Sequence, residues 1–189
     1  MHAMRRCASR LRGKGVGKLR WMRPSSPGEL SVIHLNFPTP FPRKRDAGKR
    51  MACVERLMDF REVLTPSGEV RLRTDSQPLF DFMLTQVPLA GYELLWESRD
   101  ARSERPDDPA SEYERRLGAQ GARVLALTAK PGPIPERVEQ TAELSLAAYL
   151  PHDLETLQGL AYAPHGMEAT VVNLRNRAVR EGRQNASTI

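Results

Sequence analysis

The pattern of apolar and polar positions divides the first two thirds of this chain into short strands and amphipathic helices. Leu30 to Phe37 is an apolar run bounded by Pro27 and Pro38, and its length and β-branched content predict a buried strand. Pro38, Pro40 and Pro42 end it and impose an extended loop, because each proline drives its predecessor out of helical geometry. Met51 to Leu64 carries Val54, Leu57, Met58 and Val63 at helical intervals. Thr65 to Gly68 reads as a turn, and Glu69 to Thr74 alternates like a strand. A second helix is predicted over Pro78 to Gln86, a strand over Tyr92 to Glu97, a polar excursion over Ser98 to Pro109, and a last strand over Val124 to Thr128. This alternation is that of a doubly wound α/β sheet. Its close, two strands joined by a long polar loop, predicts an antiparallel pair at one edge.

The flanks are less regular. Met4, Cys7 and Leu11 are spaced for one face of a basic helix, Gly15 to Gly17 would break it, and Lys18 to Arg23 resembles a strand. The eight Lys and Arg and absence of acids in residues 1–28 also have the composition of a transit peptide; the exposed basic helix is the preferred reading. Pro131 to Pro135 reads as a stiff linker. Beyond it, a helix is expected over Glu136 to Leu150 and a strand over Met167 to Leu174, ahead of a basic end with Arg175, Arg177, Arg180 and Arg183. The expected organisation is thus a main domain over residues 1–130, a linker over 131–135 and a C-terminal extension, 136–189, of unassigned role.

Composition narrows the class of protein. Forty per cent hydrophobic and 28% charged residues are globular proportions, and no apolar stretch approaches the roughly 20 residues that cross a bilayer. A net charge of +6 favours an anionic partner, of which nucleic acid is the commonest, although simple solubility explains it too. Cys7 and Cys53 match no metal or redox spacing and suit a reducing cytoplasm, and no metal is expected. Doubly wound sheets bind ligands beyond the carboxyl ends of their strands, which here are Phe37 to Arg50 and Thr74 to Gln77.

Three ordered blocks at those places carry a resemblance. His34 to Arg45 reads His-Leu-Asn-Phe-Pro-Thr-Pro-Phe-Pro-Arg-Lys-Arg, Thr74 to Gln77 reads Thr-Asp-Ser-Gln, and Ser111 to Arg116 reads Ser-Glu-Tyr-Glu-Arg-Arg. They resemble the Phe-Pro-Asp-Pro-Trp, Thr-Asp-Trp-Glu and Thr-Lys-Phe-Glu-x-Arg blocks of the bacterial tRNA (guanine-N7)-methyltransferases. Gly121 to Leu127 is similar to that family's closing strand. The resemblance implies a Rossmann-like sheet and transfer of a methyl group from S-adenosylmethionine to N7 of a guanine in tRNA. It implies nucleotide contacts for Arg43, Asp75, Ser111, Glu112, Tyr113 and Glu114, and phosphate contacts for Lys44, Arg45, Lys49 and Arg50.

Guanine N7 already offers an in-plane lone pair, so this chemistry requires alignment and charge stabilisation rather than a base. Each residue also has a plainer reading. The basic cluster could be a solvated loop, Asp75 a helix cap, Phe41 core, and Glu114 a surface partner of Arg115 or Arg116. The departures matter as well. Thr39 stands at the family's catalytic aspartate, a loss worth roughly a hundredfold in rate if the carboxylate stabilises the transition state. Phe41 replaces tryptophan, Arg43 lysine, Ser76 and Gln77 a Trp-Glu pair, and Glu112 reverses a lysine. No glycine-rich turn follows a strand, so the cofactor-binding start of the fold is missing from the pattern, and the sheet is expected to lack its first strands. The strand from Val32 would then show an open edge. Upstream coding sequence before Met1 is the expected reason. A catalytically inactive RNA-binding remnant and a protein docking through its open sheet edge are the rival readings.

Overall fold

The computed structural model describes residues 27–160 and 162–186. The basic helix and strand expected before Pro27 lie outside them. The described chain runs β1 (Leu30–Asn36), a 3-10 turn (Lys44–Lys49), α1 (Val54–Val63), β2 (Leu64–Thr74), α2 (Gln77–Leu89), β3 (Tyr92–Ser98), α3 (Ala101–Glu104), α4 (Glu112–Ala119), β4 (Leu125–Pro131), a second 3-10 turn (Leu146–Tyr149), α5 (Leu154–Gln158) and α6 (Glu168–Ala186). The strands form one mixed sheet in the order β1-β2-β4-β3, with β1 parallel to β2 and β4 antiparallel to both its neighbours. The α/β layout and the antiparallel close at the β3 edge are as the pattern predicts.

Alternation assigns the faces. Leu35, Val70, Leu72, Leu125, Leu127 and Ala129 point to one side, where they meet Leu57 and Phe60 of α1 and Leu79, Phe80, Phe82 and Met83 of α2. Each fully buried side chain of that kind stabilises the fold by about 1.5–3 kcal/mol. On the opposite side a smaller cluster gathers Ala101, Val124 and Ala126 with Phe37 and Trp96. Ser76 caps α2 by accepting from Leu79 N at 3.4 Å, and Pro78 sits in its first turn, where a missing N–H costs nothing. Gly91 ends that segment at φ +64°, and a Cβ there would lie 2.3 Å from the Pro133 carbonyl oxygen. Arg61 ties the same corner together by donating to the carbonyls of Ala90 and Gly132.

Several expectations need correction. β1 is an edge strand in which only Leu35 is buried, so it is far from a fully buried strand. Thr65 to Gly68 is not a free turn: β2 begins at Leu64, and these residues form an irregularity between the pairs Leu30–Leu64 and Val32–Glu69. The helix expected over Glu136 to Leu150 is reduced to one 3-10 turn. Local and tertiary partners use its backbone instead, with Leu146 N donating to Pro42 O, and Ala142 N and Ser145 N held by the side chains of Gln140 and Glu143. The strand expected over Met167 to Leu174 is the start of helix α6. Met167, Val171 and Leu174 recur at helical spacing onto the main core, and that periodicity overrides the β-branched content. Leu146, Leu150, Met167 and Val171 belong to the same core cluster as the sheet, and Pro131 is the last residue of β4. The chain beyond Pro135 therefore packs into the body of the fold.

Candidate functional site

Because β1 and β2 are parallel, their carboxyl ends emerge side by side, and Phe37 N donates to Arg73 O at 2.7 Å across them. The turn that follows is strained. Phe37 and Phe41 both occupy the left-handed region, at φ +48° and +46°, which costs a non-glycine residue about 1–3 kcal/mol. The compensation is Arg50. It is wholly buried, donates from Nε to Pro40 O at 3.0 Å and from Nη2 to Phe41 O at 2.8 Å and Leu144 O at 2.7 Å, and stands over the Phe82 ring at 4.5 Å. Burial holds its pKa below the usual arginine value. The expectation that Arg50 contacts phosphate is therefore corrected. Its charge faces inward because three turn carbonyls need a donor, and a side chain with no exposed surface cannot reach a phosphate.

The remaining cations do reach solvent. Arg43, Lys44, Arg45 and Lys49 are all exposed. Lys49 Nζ donates to Asp46 Oδ1 at 2.7 Å, and this bond holds the Asp46 carboxyl below its ordinary range. Thr39 is exposed on the same turn and makes no side-chain hydrogen bond to the described residues.

Asp75 ends β2 and is buried. The capping duty open to it falls to Ser76. Its Oδ2 instead accepts from the Tyr162 hydroxyl at 2.7 Å and from His165 N at 3.0 Å. Tyr113 meets Phe37 edge-on, with centroids 5.2 Å apart, and carries Arg116 over its other surroundings at 5.4 Å. Burial raises the Tyr113 pKa, and the negative charge of Asp75 raises it further. Tyr113 thus packs on Phe37 at the start of the proline turn, and Asp75 follows the neighbouring strand.

Their neighbours in the Ser111 block part company. Ser111 caps α4 by accepting from Glu114 N at 3.1 Å. Glu112 points outward and pairs with Arg115 at 3.0 Å. Glu114 is 5% exposed and lies between Arg102, in a very short contact, and Arg73 at 3.3 Å, with Arg73 also holding Asp108 at 2.5 Å. The Arg115 or Arg116 partnership open to Glu114 from sequence is replaced by this interior one.

Tyr162 and His165 carry no signal in the sequence, since Leu160 to Gly166 has neither periodicity nor motif, and Met167 is marked there only as the start of an apolar run. Among the described residues no group of three His, Cys, Asp or Glu side chains could hold a metal, and no helix is long and apolar enough to cross a membrane.

With this geometry in hand, the chain can be set against known proteins. The model of a family described as "Putative methyltransferase" matches residues 21–127, which takes in β1, β2, β3 and the start of β4 with Asp75 and Tyr113. A tRNA (guanine-N(7)-)-methyltransferase of Lactiplantibacillus plantarum is 34% identical over 97 residues, covering 50% of this chain and 45% of the relative. The protein of that name in Bacillus cytotoxicus is 33% identical over 104 residues, covering 54% and 48%. The chain therefore spans about half the length of the curated relatives it matches. The matched segment contains the turn, the buried aspartate and the tyrosine described above, and on that match the chain belongs to this methyltransferase family.

Proposed function

We propose that this chain acts in methyl transfer from S-adenosylmethionine to N7 of a guanine in tRNA, and that the described residues form the acceptor side of that reaction. The observation that carries the reading is a strained proline turn, with Tyr113 packed on its Phe37, next to the buried Asp75 at the carboxyl ends of two parallel strands and beside four exposed cations. A rigid turn suits the task, since N7 needs no proton removed and the rate depends on holding it in line with the methyl group. Asp75 would accept from the N1 and N2 edge of guanine, and Tyr113 would supply an aromatic wall. Arg43, Lys44, Arg45 and Lys49 would bind the phosphates around the target nucleotide. Ser111 and Glu114 support the reading at one remove, by setting α4 so that Tyr113 reaches Phe37.

The donor's requirements differ. S-adenosylmethionine brings the activated methyl group, yet among the described residues no glycine-rich turn follows a strand to cradle it. The described residues do not fit that cofactor. Thr39, an uncharged group in place of the family aspartate, would bring hydrogen bonding without a negative charge to the reacting base.

The reading is tested with tRNA on the full chain. Binding should weaken steeply with salt, and replacing Arg43, Lys44 and Arg45 together by alanine should reduce the log–log salt slope by about 2 to 3. An unchanged slope in the triple variant would remove the RNA role from the turn. Incubation with S-adenosylmethionine and tRNA, followed by mass spectrometry of the nucleosides, should yield 7-methylguanosine; its absence would reject catalysis by this polypeptide.

A further inference from the structure

The C-terminal segment reaches the candidate site at one point, and the manner of contact is informative. Two donors, the Tyr162 hydroxyl and the His165 backbone N–H, converge on a single oxygen of Asp75, Oδ2. Oδ1 takes no hydrogen bond from the described residues. We propose that Tyr162 is a positioning residue of the nucleobase site: it fixes the Asp75 carboxylate through Oδ2 so that Oδ1 is held toward the base. This rests on the proposed function and adds to it, since Tyr162 lies beyond residue 127, where the family match ends.

Three observations support it. First, the segment carrying Tyr162 is anchored on the C-terminal side of that residue. Met167 is wholly buried and its sulfur accepts from Ser76 Oγ at 3.3 Å, while Met167 N donates to Pro164 O at 2.9 Å. Gly166, at φ +79°, lies against Pro40 of the strained turn, where even a Cβ would meet the proline ring at 3.4 Å. Segment and turn are therefore built against each other. Second, burial and the bond to Asp75 both hold the Tyr162 pKa above its ordinary value, so the hydroxyl keeps its proton and acts as a donor. Third, both donors to Asp75 are neutral. They orient the carboxylate and leave its charge uncancelled, unlike a salt bridge to arginine.

An oriented anionic acceptor selects among bases. Guanine presents N–H donors at N1 and N2, whereas adenine presents a lone pair at N1, which a fixed carboxylate oxygen repels. Tyr162 therefore contributes to base selectivity more than to overall affinity, because the phosphate rim is separate from it.

The test compares guanosine monophosphate with adenosine monophosphate on the full chain by calorimetric titration. The wild type should prefer the guanine nucleotide. Asp75→Asn should abolish the preference. Tyr162→Phe should reduce it roughly threefold to tenfold while leaving the adenine nucleotide's affinity and the melting cooperativity unaltered. If the wild type shows no preference, the proposed function itself fails. If Asp75→Asn loses the preference and Tyr162→Phe keeps it, only the role of Tyr162 is overturned. A second measurement needs no variant. The Tyr162 ring, followed by NMR on labelled tyrosine, should still titrate abnormally high with guanosine monophosphate bound. A fall to the ordinary tyrosine range on binding would mean that the base displaces Tyr162, and would also overturn the positioning role.

Discussion

Asp75 and Glu114 are two buried carboxylates at the same end of the sheet, yet they are satisfied in opposite ways. Glu114 lies between two guanidinium groups, Arg73 and Arg102. From the described residues Asp75 receives a phenol and a backbone amide, both on one of its oxygens. The first arrangement cancels charge and welds α4 and the loop before it to β2. The second orients a charge without cancelling it. Burial alone therefore does not mark a functional acid; what distinguishes Asp75 is that its partners are neutral.

The comparison is most open to attack at Glu114. Replacement by alanine should strip two part-buried arginines of their shared partner, leaving Arg73 with the Asp108 carboxylate and Arg102 with the backbone carbonyls of Pro106 and Asp108. A loss of about 2–4 kcal/mol in denaturant unfolding is expected, the lower part of the range reflecting the one-third exposure of Arg102. A loss below 1 kcal/mol, roughly that of an exposed pair, would mean that Glu114 is no strut.

Cys53 sharpens the contrast as a buried acid in which desolvation outweighs the pull of the neighbouring Arg56. Burial pushes its pKa from 9.0 to about 12. The folded state thus holds the thiol proton more tightly than the unfolded one. That contribution is complete below pH 9.0 and is lost as the pH rises toward about 12. Stability should fall there by at most ~1.4 kcal/mol per pH unit from this group, and Cys53→Ala should flatten the fall in thermal melts. An identical slope in the variant would assign the alkaline loss elsewhere.

The smallest effect on stability belongs to Asp75. In Asp75→Asn the amide oxygen can still accept from Tyr162, and no salt bridge is broken. Unfolding should therefore shift by less than about 1 kcal/mol while guanine preference disappears. A large destabilisation would place Asp75 in the same class as Glu114.

Much of this could be read from the amino acids in order. β2, α2 and β4 were legible because one layer of core imposes a clean period on each, and Phe37 and Asp75 because each follows such a strand, whereas Tyr113 was marked by the resemblance of the Ser111 block alone. The rest depended on distant contacts. Nothing around Arg50 separates it from Lys49, although one is wholly buried and the other exposed; the difference is three carbonyls, one of them Leu144 O, far along the chain. Met167 to Leu174 misled because Thr170, Val171 and Val172 favour a strand locally, while the docking of Met167 and Val171 decides for a helix. Tyr162 carried no signal, since the carboxylate to which its hydroxyl donates lies 87 residues away.

The clamp at Arg50 also has a consequence for biosynthesis. One of its acceptors, Leu144 O, is separated from it by 94 residues. A ribosome that has released β1, α1 and β2 holds a turn whose two left-handed phenylalanines are not yet locked. The nascent chain should therefore complete the proline turn last, after the segment carrying Leu144 has emerged and folded back.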